Sequence, residues 1–187
     1  MRVPLVVPSF LSKFRCEECI SFFHTEEPKP RSYQGIVDGN VRHCDYVVAT
    51  CLEGDFRLLM TRHVESYFCV VVGALAHSPL IYRYPIGAGF TTHHDRVTTI
   101  ESERSASTGQ PVVGGDFTMV LALNDPNDYG GGELFFPELG LALKPSAGSA
   151  VVFPATEEYM HRVAPVTSGE RFTAVARCFL CTAGCPA

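Results

Sequence analysis

The second half of this chain consists of short apolar stretches separated by glycine, proline, asparagine and aspartate, and this pattern constrains the fold most strongly. Short strands at regular spacing with such turn residues between them predict a β-sandwich or jelly roll. Candidate strands cover residues 80–84, 90–95, 116–124, 133–136, 140–143, 149–153, 159–164 and 170–178. The polar stretch 98–115 interrupts the series and is long enough to act as a lid. We therefore predict a double-stranded β-helix, or jelly roll, over residues 80–178.

Residues 1–79 differ from the rest and predict a supporting region of mixed strand and helix. Ser12 can cap a helix that runs to about Phe23 and carries apolar residues on one face. The other predicted elements are an edge strand in 3–10, a loop over 26–31, a strand over 42–50 and a helix over 58–76. A length of 187 residues, 46% of them hydrophobic, suits a single domain that is mainly β with N-terminal helices, an α+β arrangement.

A His-x-Asp pair and a distant histidine form the candidate metal site. His93 and Asp95 are two residues apart, so a strand would point both side chains to one face and His94 to the other. His161 follows Asp95 by 66 residues, far enough for a small barrel to return beside it. Two imidazoles and one carboxylate make a facial triad, which leaves metal positions open and suits non-haem Fe(II). Arg171, ten residues after His161, could hold a carboxylate bidentately.

The stretches around these residues carry a family resemblance. Residues 84–95 resemble the first metal-binding strand region of the prolyl-4-hydroxylase-like Fe(II)/2-oxoglutarate dioxygenases. Residues 117–134 resemble their central strand and Gly-Gly turn, especially as found in bacterial PKHD-type hydroxylases. Residues 161–166 and Arg171 match the end of that domain. The resemblance covers roughly residues 80–178, and its four ordered motifs are specific for the superfamily but not for a substrate.

The resemblance implies a set of site residues and cofactors. The implied metal ligands are His93, Asp95 and His161. Arg171 would hold the distal carboxylate of 2-oxoglutarate (2OG), and hydroxyls of Tyr84 and Thr118 match two further cosubstrate contacts. Either hydroxyl residue could instead be a packed strand residue. Some relatives have a tyrosine where this chain has Ala122, so the other contacts must suffice. The implied cofactors are Fe(II), 2OG and O2, with ascorbate as a candidate reductant.

The implied activity is hydroxylation of an unactivated C–H bond with release of succinate and CO2. Halogenating relatives replace the metal-binding carboxylate with a small residue, so the intact Asp95 favours hydroxylation. We expect a free amino acid or small metabolite as substrate, because no peptide-docking domain is evident. A peptidyl prolyl hydroxylase is the alternative within the superfamily. A zinc hydrolase and a non-catalytic jelly-roll binding protein are the alternatives outside it, and both leave Arg171 or the triad unexplained.

Arg177 departs from the family pattern, since many relatives carry an aromatic residue there. It shares strand parity with Arg171 and should also point into the barrel. A buried arginine needs an anionic partner. One interpretation is a clamp for a substrate carboxylate or for the metal-proximal end of 2OG. The other is a pair with a buried aspartate or glutamate, or a shifted register that places the side chain outside.

Charge and hydropathy limit the classes of partner. The net charge of −5 offers no field for neutralising phosphates, so we expect no nucleic-acid partner. No apolar run reaches the length of a membrane span. Residues 1–8 are too short and too rich in proline for a signal peptide, which predicts a cytoplasmic protein. A small-molecule or peptide substrate is the expected partner, and the oligomeric state is left open.

Eight cysteines raise the question of a structural zinc site. Cys16 and Cys19, together with Cys178 and Cys181, imitate the spacing of a four-cysteine site. The first pair falls in a helical pattern, and strand geometry would point the second pair to opposite faces. In a cytoplasmic protein we therefore expect reduced thiols rather than zinc ligands.

Overall fold

The computed structural model describes residues 2–31, 44–96 and 114–181. The predicted lid over 98–115 lies outside these ranges except for Gly114 and Gly115. The strands of the described residues are β1 Leu5–Val7, β2 Lys29–Arg31, β3 Cys44–Val48, β4 Val72–Leu75, β5 Leu80–Tyr84, β6 Phe90–His93, β7 Phe117–Ala122, β8 Tyr129–Gly131, β9 Leu134–Phe136, β10 Leu141–Leu143, β11 Ala150–Pro154, β12 His161–Val163, β13 Val166–Gly169 and β14 Arg171–Leu180.

Helices are short and lie mostly in the N-terminal half. The α-helices are α1 Lys13–Thr25, α2 Glu53–Leu59 and α3 Glu65–Phe68, and a π-helical turn, Met60–Val64, joins the last two. Single 3-10 turns cover Thr50–Leu52, Pro137–Leu139 and Glu157–Tyr159. None of the helices within the described ranges is long and apolar enough to cross a membrane.

The strands form two main antiparallel sheets and a small ribbon. The large sheet has the order β1-β11-β7-β14-β5-β3-β2, with β4 paired to the far part of β14. The small sheet has the order β10-β9-β12-β6, and β8 pairs with β13. The predicted fold class, a mainly β jelly roll with N-terminal helices, is confirmed.

β14 is the central strand and is buried on both faces, because it pairs with β5 on one side and with β7 on the other. One set of alternating residues joins the core under the helices: Phe172, Ala174, Ala176 and Cys178. The other set lines a cleft between the two sheets: Arg171, Thr173, Val175 and Arg177. The period of two along this strand therefore delivers two arginines to the same cleft.

The helical layer covers the outer face of the large sheet. Ser12 caps α1, as predicted: its hydroxyl accepts a hydrogen bond from the backbone N–H of Arg15 at 3.1 Å. Such a cap contributes about 1 kcal/mol. The buried face of α1 presents Cys16, Cys19 and Phe23 to the core that the sheet shares with α2. The helices thus support the sheet from the side opposite the cleft.

The predicted helix over 58–76 is wrong at both ends. Helical structure begins at Thr50, before the predicted start, and α3 ends at Phe68, where Cys69 adopts a left-handed φ of 57°. Residues 72–75 instead form β4 and pair with β14. β-branched valines and Gly73 are poor helix formers, and an open position beside β14 offers them a ladder of backbone hydrogen bonds.

Besides β4, three short strands were not predicted. β2 lies within the predicted loop over 26–31 and pairs with β3 at the edge of the large sheet. β8 and β13 have the sequences YGG and VTSG and form their own ribbon. Three- and four-residue strands that contain glycine have too little alternation for a pattern to mark them.

Seven cysteines fall within the described ranges, and no two of them form a disulfide. Burial raises the pKa of both Cys19 and Cys178 to about 12. Among the described residues, the group that could hold a metal ion consists of His93, Asp95 and His161 and contains no cysteine.

Candidate active site

Three side chains converge at one end of the cleft. His93 ends β6 and lies directly opposite His161 on β12 in the strand register. Asp95 follows two residues after His93, beyond the end of the strand. His93 Nε2 lies 3.6 Å from Asp95 Oδ1, and His161 Nε2 lies 3.5 Å from Oδ2. The structure thus brings together the three ligands that the sequence predicted, with one donor atom from each within 4.8 Å of the others.

Backbone carbonyls orient both imidazoles. His93 Nδ1 lies 2.8 Å from the carbonyl oxygen of Thr91, and His161 Nδ1 lies 3.0 Å from that of Tyr159. A carbonyl oxygen only accepts, so Nδ1 carries the hydrogen in each ring and Nε2 keeps its lone pair. Both lone pairs therefore face the Asp95 carboxylate, which is the tautomer that a metal ion requires.

The carboxylate of Asp95 is held at both oxygens. Arg177 Nη2 donates to Oδ1 at 2.5 Å, and Thr118 Oγ1 donates to Oδ2 at 2.7 Å. Burial by itself raises the pKa of Asp95, but the charge of Arg177 and the hydrogen bond that Arg177 donates outweigh it and hold that pKa well below its ordinary value. The carboxylate is therefore ionised and fixed in orientation before any metal binds.

Register explains why Thr118 and Arg177 act on the same carboxylate. They lie directly opposite each other on β7 and β14, so both side chains point to the same face of the sheet. Arg177 thus has a buried aspartate partner, one of the two interpretations left open by the sequence. Thr118, matched by resemblance to a cosubstrate contact, lines the cleft and donates its hydroxyl hydrogen to Asp95.

The other end of the cleft is built around Arg171. It lies opposite Tyr84 in the β5–β14 register, and its guanidinium carbon is 5.0 Å from the centre of the Tyr84 ring. The hydroxyl of Tyr129 also lies near this guanidinium. Burial raises the pKa of that hydroxyl, and the neighbouring Arg171 opposes the rise. Tyr129 was not predicted as a site residue, because β8 is too short to show which face it occupies.

A cleft of about 380 Å³, part of it open to solvent, lies between these ends. Its apolar lining consists of Phe90, Val120, Leu134, Val163 and Val175.

Thr173 is 2% exposed, and its hydroxyl has no hydrogen-bond partner among the described residues. Its position between Arg171 and Val175 on β14 could have been read from strand parity. His94, whose parity predicted that it would point elsewhere, does not line the cleft.

A model of the 2OG-Fe(II) oxygenase superfamily matches residues 79–176, which is more than half of the chain. The matched segment contains both ends of the cleft. The chain belongs to the 2OG-Fe(II) oxygenase superfamily. Fe(II) and 2OG are accordingly its cofactor and cosubstrate, and the donor set of two Nε2 atoms and one carboxylate fits Fe(II).

Curated relatives of this oxygenase are PKHD-type hydroxylases. One from Xanthomonas axonopodis pv. citri (strain 306) is 34% identical over 109 residues, which is 57% of this chain and 46% of the relative. Another from Caulobacter sp. (strain K31) is 38% identical over 96 residues, 50% of this chain and 39% of the relative. The matched part of this chain thus spans less than half the length of either relative.

Solved structures of similar fold carry prolyl hydroxylase names. The viral collagen prolyl hydroxylase of Paramecium Bursaria Chlorella virus-1 superposes with a TM-score of 0.69 at 19% identity, covering 94% of both chains. A Pseudomonas putida prolyl-4-hydroxylase gives the same TM-score at 17% identity, covering 94% of this chain and 91% of the other. At these identities the likeness establishes the fold of the oxygenase and not its substrate.

Gly132 gives a first testable prediction about the Arg171 end. Its φ is +71°, and a Cβ at this position would lie 2.9 Å from Tyr129 Cε2 and 3.0 Å from Arg171 Cδ. Gly132→Ala should therefore strain the backbone by roughly 1–2 kcal/mol and also displace both side chains. We expect a lower unfolding free energy in denaturant titration and a several-fold higher 2OG concentration at half-saturation.

Gly140 provides the matched control, because its φ of +56° is also left-handed while a Cβ there meets nothing within 4 Å. Gly140→Ala should lose a similar unfolding free energy and bind 2OG normally. Equal 2OG affinity in both variants would show that the close approach at Gly132 does not position Arg171.

Proposed function

We propose that this chain is an Fe(II)- and 2OG-dependent hydroxylase that oxidises an unactivated C–H bond of an amino acid or small metabolite, releasing succinate and CO2. One observation carries the proposal: a His-Asp-His triad and a buried arginine lie at opposite ends of one cleft. The intact carboxylate of Asp95 favours hydroxylation, because it occupies the position that a halide would need.

The metal end of the cleft is assigned to His93, Asp95 and His161. Their Nε2 and carboxylate oxygen atoms would hold Fe(II), which with 2OG supplies the activation of O2 and the oxidation of the C–H bond. The carbonyls of Thr91 and Tyr159 keep both imidazoles in the ligating tautomer. Thr118 and Arg177 keep the carboxylate from rotating. These contacts prepare the ligands in advance, which reduces the cost of ordering them when the metal binds.

The cosubstrate end is assigned to Arg171, with Tyr84, Tyr129 and Thr173 around it. A guanidinium offers two parallel N–H groups that match the distal carboxylate of 2OG. The unpartnered hydroxyl of Thr173 is an additional donor on the same face of β14. The apolar lining between the ends contacts the methylene groups of the cosubstrate and limits access of water to the metal.

Two other candidate functions are weaker. The first is a peptidyl prolyl hydroxylase. Its support is the prolyl hydroxylase names of the similar structures, which at 17–19% identity share only the fold. A zinc hydrolase would need a general base, and the cleft, as lined by the described residues, contains no glutamate. A hydrolase would also give Arg171 no role, whereas a member of the 2OG-Fe(II) oxygenase superfamily can use it to bind 2OG.

The experiment is a turnover assay in oxygen-18 gas with Fe(II), 2OG and ascorbate. A mixture of free amino acids and small metabolites is compared with a proline-rich peptide, and succinate and product mass are measured. We expect the small-molecule mixture to stimulate succinate formation about tenfold or more and to yield a product containing one labelled oxygen atom. His161→Ala should give neither.

Stimulation by the peptide alone would replace the small-molecule proposal with the prolyl hydroxylase. Succinate formation that persists unchanged in His161→Ala, or that does not depend on Fe(II), would remove the assignment of the site.

A further inference from the structure

Arg177 has more hydrogen-bonding capacity than the described residues around it use. Its side chain is 8% exposed, and Nη2 is committed to Asp95. The other two nitrogens, Nε and Nη1, are buried and have no hydrogen-bond partner among the described residues. Buried guanidinium N–H groups without acceptors are costly, so a charged side chain left in this state indicates a missing acceptor.

The missing acceptor belongs in the cleft. Arg177 lines the cleft next to Thr118, Val120 and Val175, and neither valine side chain can accept a hydrogen bond. The hydroxyl of Thr118 donates to Asp95, and neither Nε nor Nη1 of Arg177 makes a hydrogen bond to it. A molecule in the cleft is therefore the available source of an acceptor for Nε and Nη1.

This position is distinct from the end assigned to 2OG. Arg171 and Arg177 are six residues apart on β14, which separates their Cα atoms by roughly 20 Å along the strand. Arg171 contacts Tyr84 and Tyr129, whereas Arg177 contacts the candidate metal ligand Asp95. An acceptor at Arg177 thus lies at the metal end of the cleft, beside Asp95 and away from the residues around Arg171.

The charge of the cleft agrees with an anionic acceptor. Its described lining contains one carboxylate, Asp95, and two guanidiniums, Arg171 and Arg177. Fe(II) and the 2OG dianion cancel each other, so the loaded cleft keeps one formal positive charge. A monoanionic substrate would neutralise it, and a planar carboxylate can accept from one of the two free nitrogens together with the second N–H of Nη2, which lie on one edge of the guanidinium.

We propose that Arg177 forms a second carboxylate site in the cleft, which binds a carboxylate of the primary substrate while Nη2 holds Asp95. The inference rests on the hydroxylase function proposed above and narrows its substrate class to small carboxylic acids. The metal-proximal carboxylate of 2OG has the same chemistry as a substrate carboxylate and could bind Arg177 in its place. The experiment separates these two sources.

The experiment uses acetate as the carboxylate probe and acetamide as its uncharged match. The protein is loaded with zinc and saturated with 2OG, so that no turnover occurs, and binding is followed by broadening of the probe's NMR signals. We expect acetate to bind and acetamide not to bind. Arg177→Gln should lower acetate affinity about tenfold or more, and Arg57→Gln, which removes an exposed guanidinium on α2, should leave it unchanged.

Arg177→Lys covers the case in which Arg177→Gln fails to fold or to hold zinc. Lysine keeps a cation beside Asp95 but lacks the planar pair of donors, so acetate affinity should again fall several-fold. Acetate binding that is equal in the wild type and in either variant would overturn the proposal, whether the probe sits on the metal or elsewhere.

A parallel anaerobic titration with Fe(II) and 2OG separates the inference from the function on which it rests. Absence of the visible band of metal-chelated 2OG would contradict the proposed hydroxylase function. A normal band without Arg177-dependent acetate binding would contradict only the second carboxylate site at Arg177. No acetate binding in the wild type, combined with a tenfold fall in 2OG affinity in Arg177→Gln, would assign Arg177 to the cosubstrate and overturn the substrate site.

Discussion

Asp95→Ala should abolish Fe(II) retention and reduce 2OG turnover to background. The substitution removes the anionic ligand of the triad, and it also leaves the guanidinium of Arg177 buried without its ionic partner. Removing one member of a buried ion pair costs about 3–5 kcal/mol of unfolding free energy. We therefore expect a large drop in stability together with the loss of activity. Metal content after desalting, succinate formation and denaturant titration measure the three effects.

Two variants separate the metal effect from the stability effect. Asp95→Asn keeps the shape of the side chain and an acceptor for Arg177, so it should lose Fe(II) binding with a smaller stability loss. Asp45→Ala removes a partly exposed aspartate from its pair with Arg83, which should cost about 1 kcal/mol or less and leave turnover normal. Product formation that still depends on 2OG in Asp95→Ala would rule out Asp95 as a ligand.

Arg171→Ala should raise the dissociation constant for 2OG about 100-fold or more while Fe(II) binding persists. A buried, bidentate pair between a guanidinium and a carboxylate is worth roughly 2–5 kcal/mol when one partner is removed. His93 and His161 lie on β6 and β12, whereas Arg171 lies at the start of β14 and does not contact Asp95, so we expect the triad to keep its geometry without Arg171. Anaerobic 2OG titration at saturating Fe(II), with metal content measured separately, gives both quantities.

Arg171→Lys tests geometry apart from charge. Lysine keeps the cation but not the planar fork, so its 2OG affinity should lie between those of the wild type and Arg171→Ala. Arg162→Ala is the matched control, because Arg162 stacks on Phe135 at 4.8 Å and does not line the cleft. It should bind 2OG normally. A wild-type 2OG affinity in Arg171→Ala would place the cosubstrate elsewhere.

Strand parity was the most informative sequence signal for the site. On β14 it predicted that Arg171 and Arg177 face the same way, and both line the cleft. The structure brings His93 and Asp95 together as the sequence predicted, but Asp95 does not lie on the strand predicted over 90–95. β6 ends at His93, so the turn beyond it, and not an extended strand, directs Asp95 toward the two imidazoles.

Partners that depend on long-range register could not be predicted. Thr118 and Arg177 meet at Asp95 because β7 and β14 pair with those two residues opposite each other. Nothing local to either residue specifies that register. The same reason explains why the helix predicted over 58–76 is wrong at its C-terminal end. β4 gains its backbone partners from β14, about a hundred residues away in sequence, and this pairing overrides the helical spacing of the apolar residues.

Sequence motifs and three-dimensional contacts define different parts of the site. The ordered motifs are sufficient to indicate the superfamily, the triad and Arg171. The fold adds the restraint of Asp95 by Thr118 and Arg177, the contact of Tyr129 with Arg171, and the unpartnered nitrogens of Arg177. Those contacts carry the inference about substrate charge, which no motif in the sequence contains.

The most direct test of the assigned site is an anaerobic titration with Fe(II) and 2OG, monitored by the visible charge-transfer band of a metal-chelated 2-oxo acid. It requires no knowledge of the substrate. We predict a band in the wild type, no band in His161→Ala, and a band that needs much more 2OG in Arg171→Ala. A wild type that shows no band at saturating Fe(II) and 2OG, or a His161→Ala variant that shows a normal one, would contradict the assignment of the site.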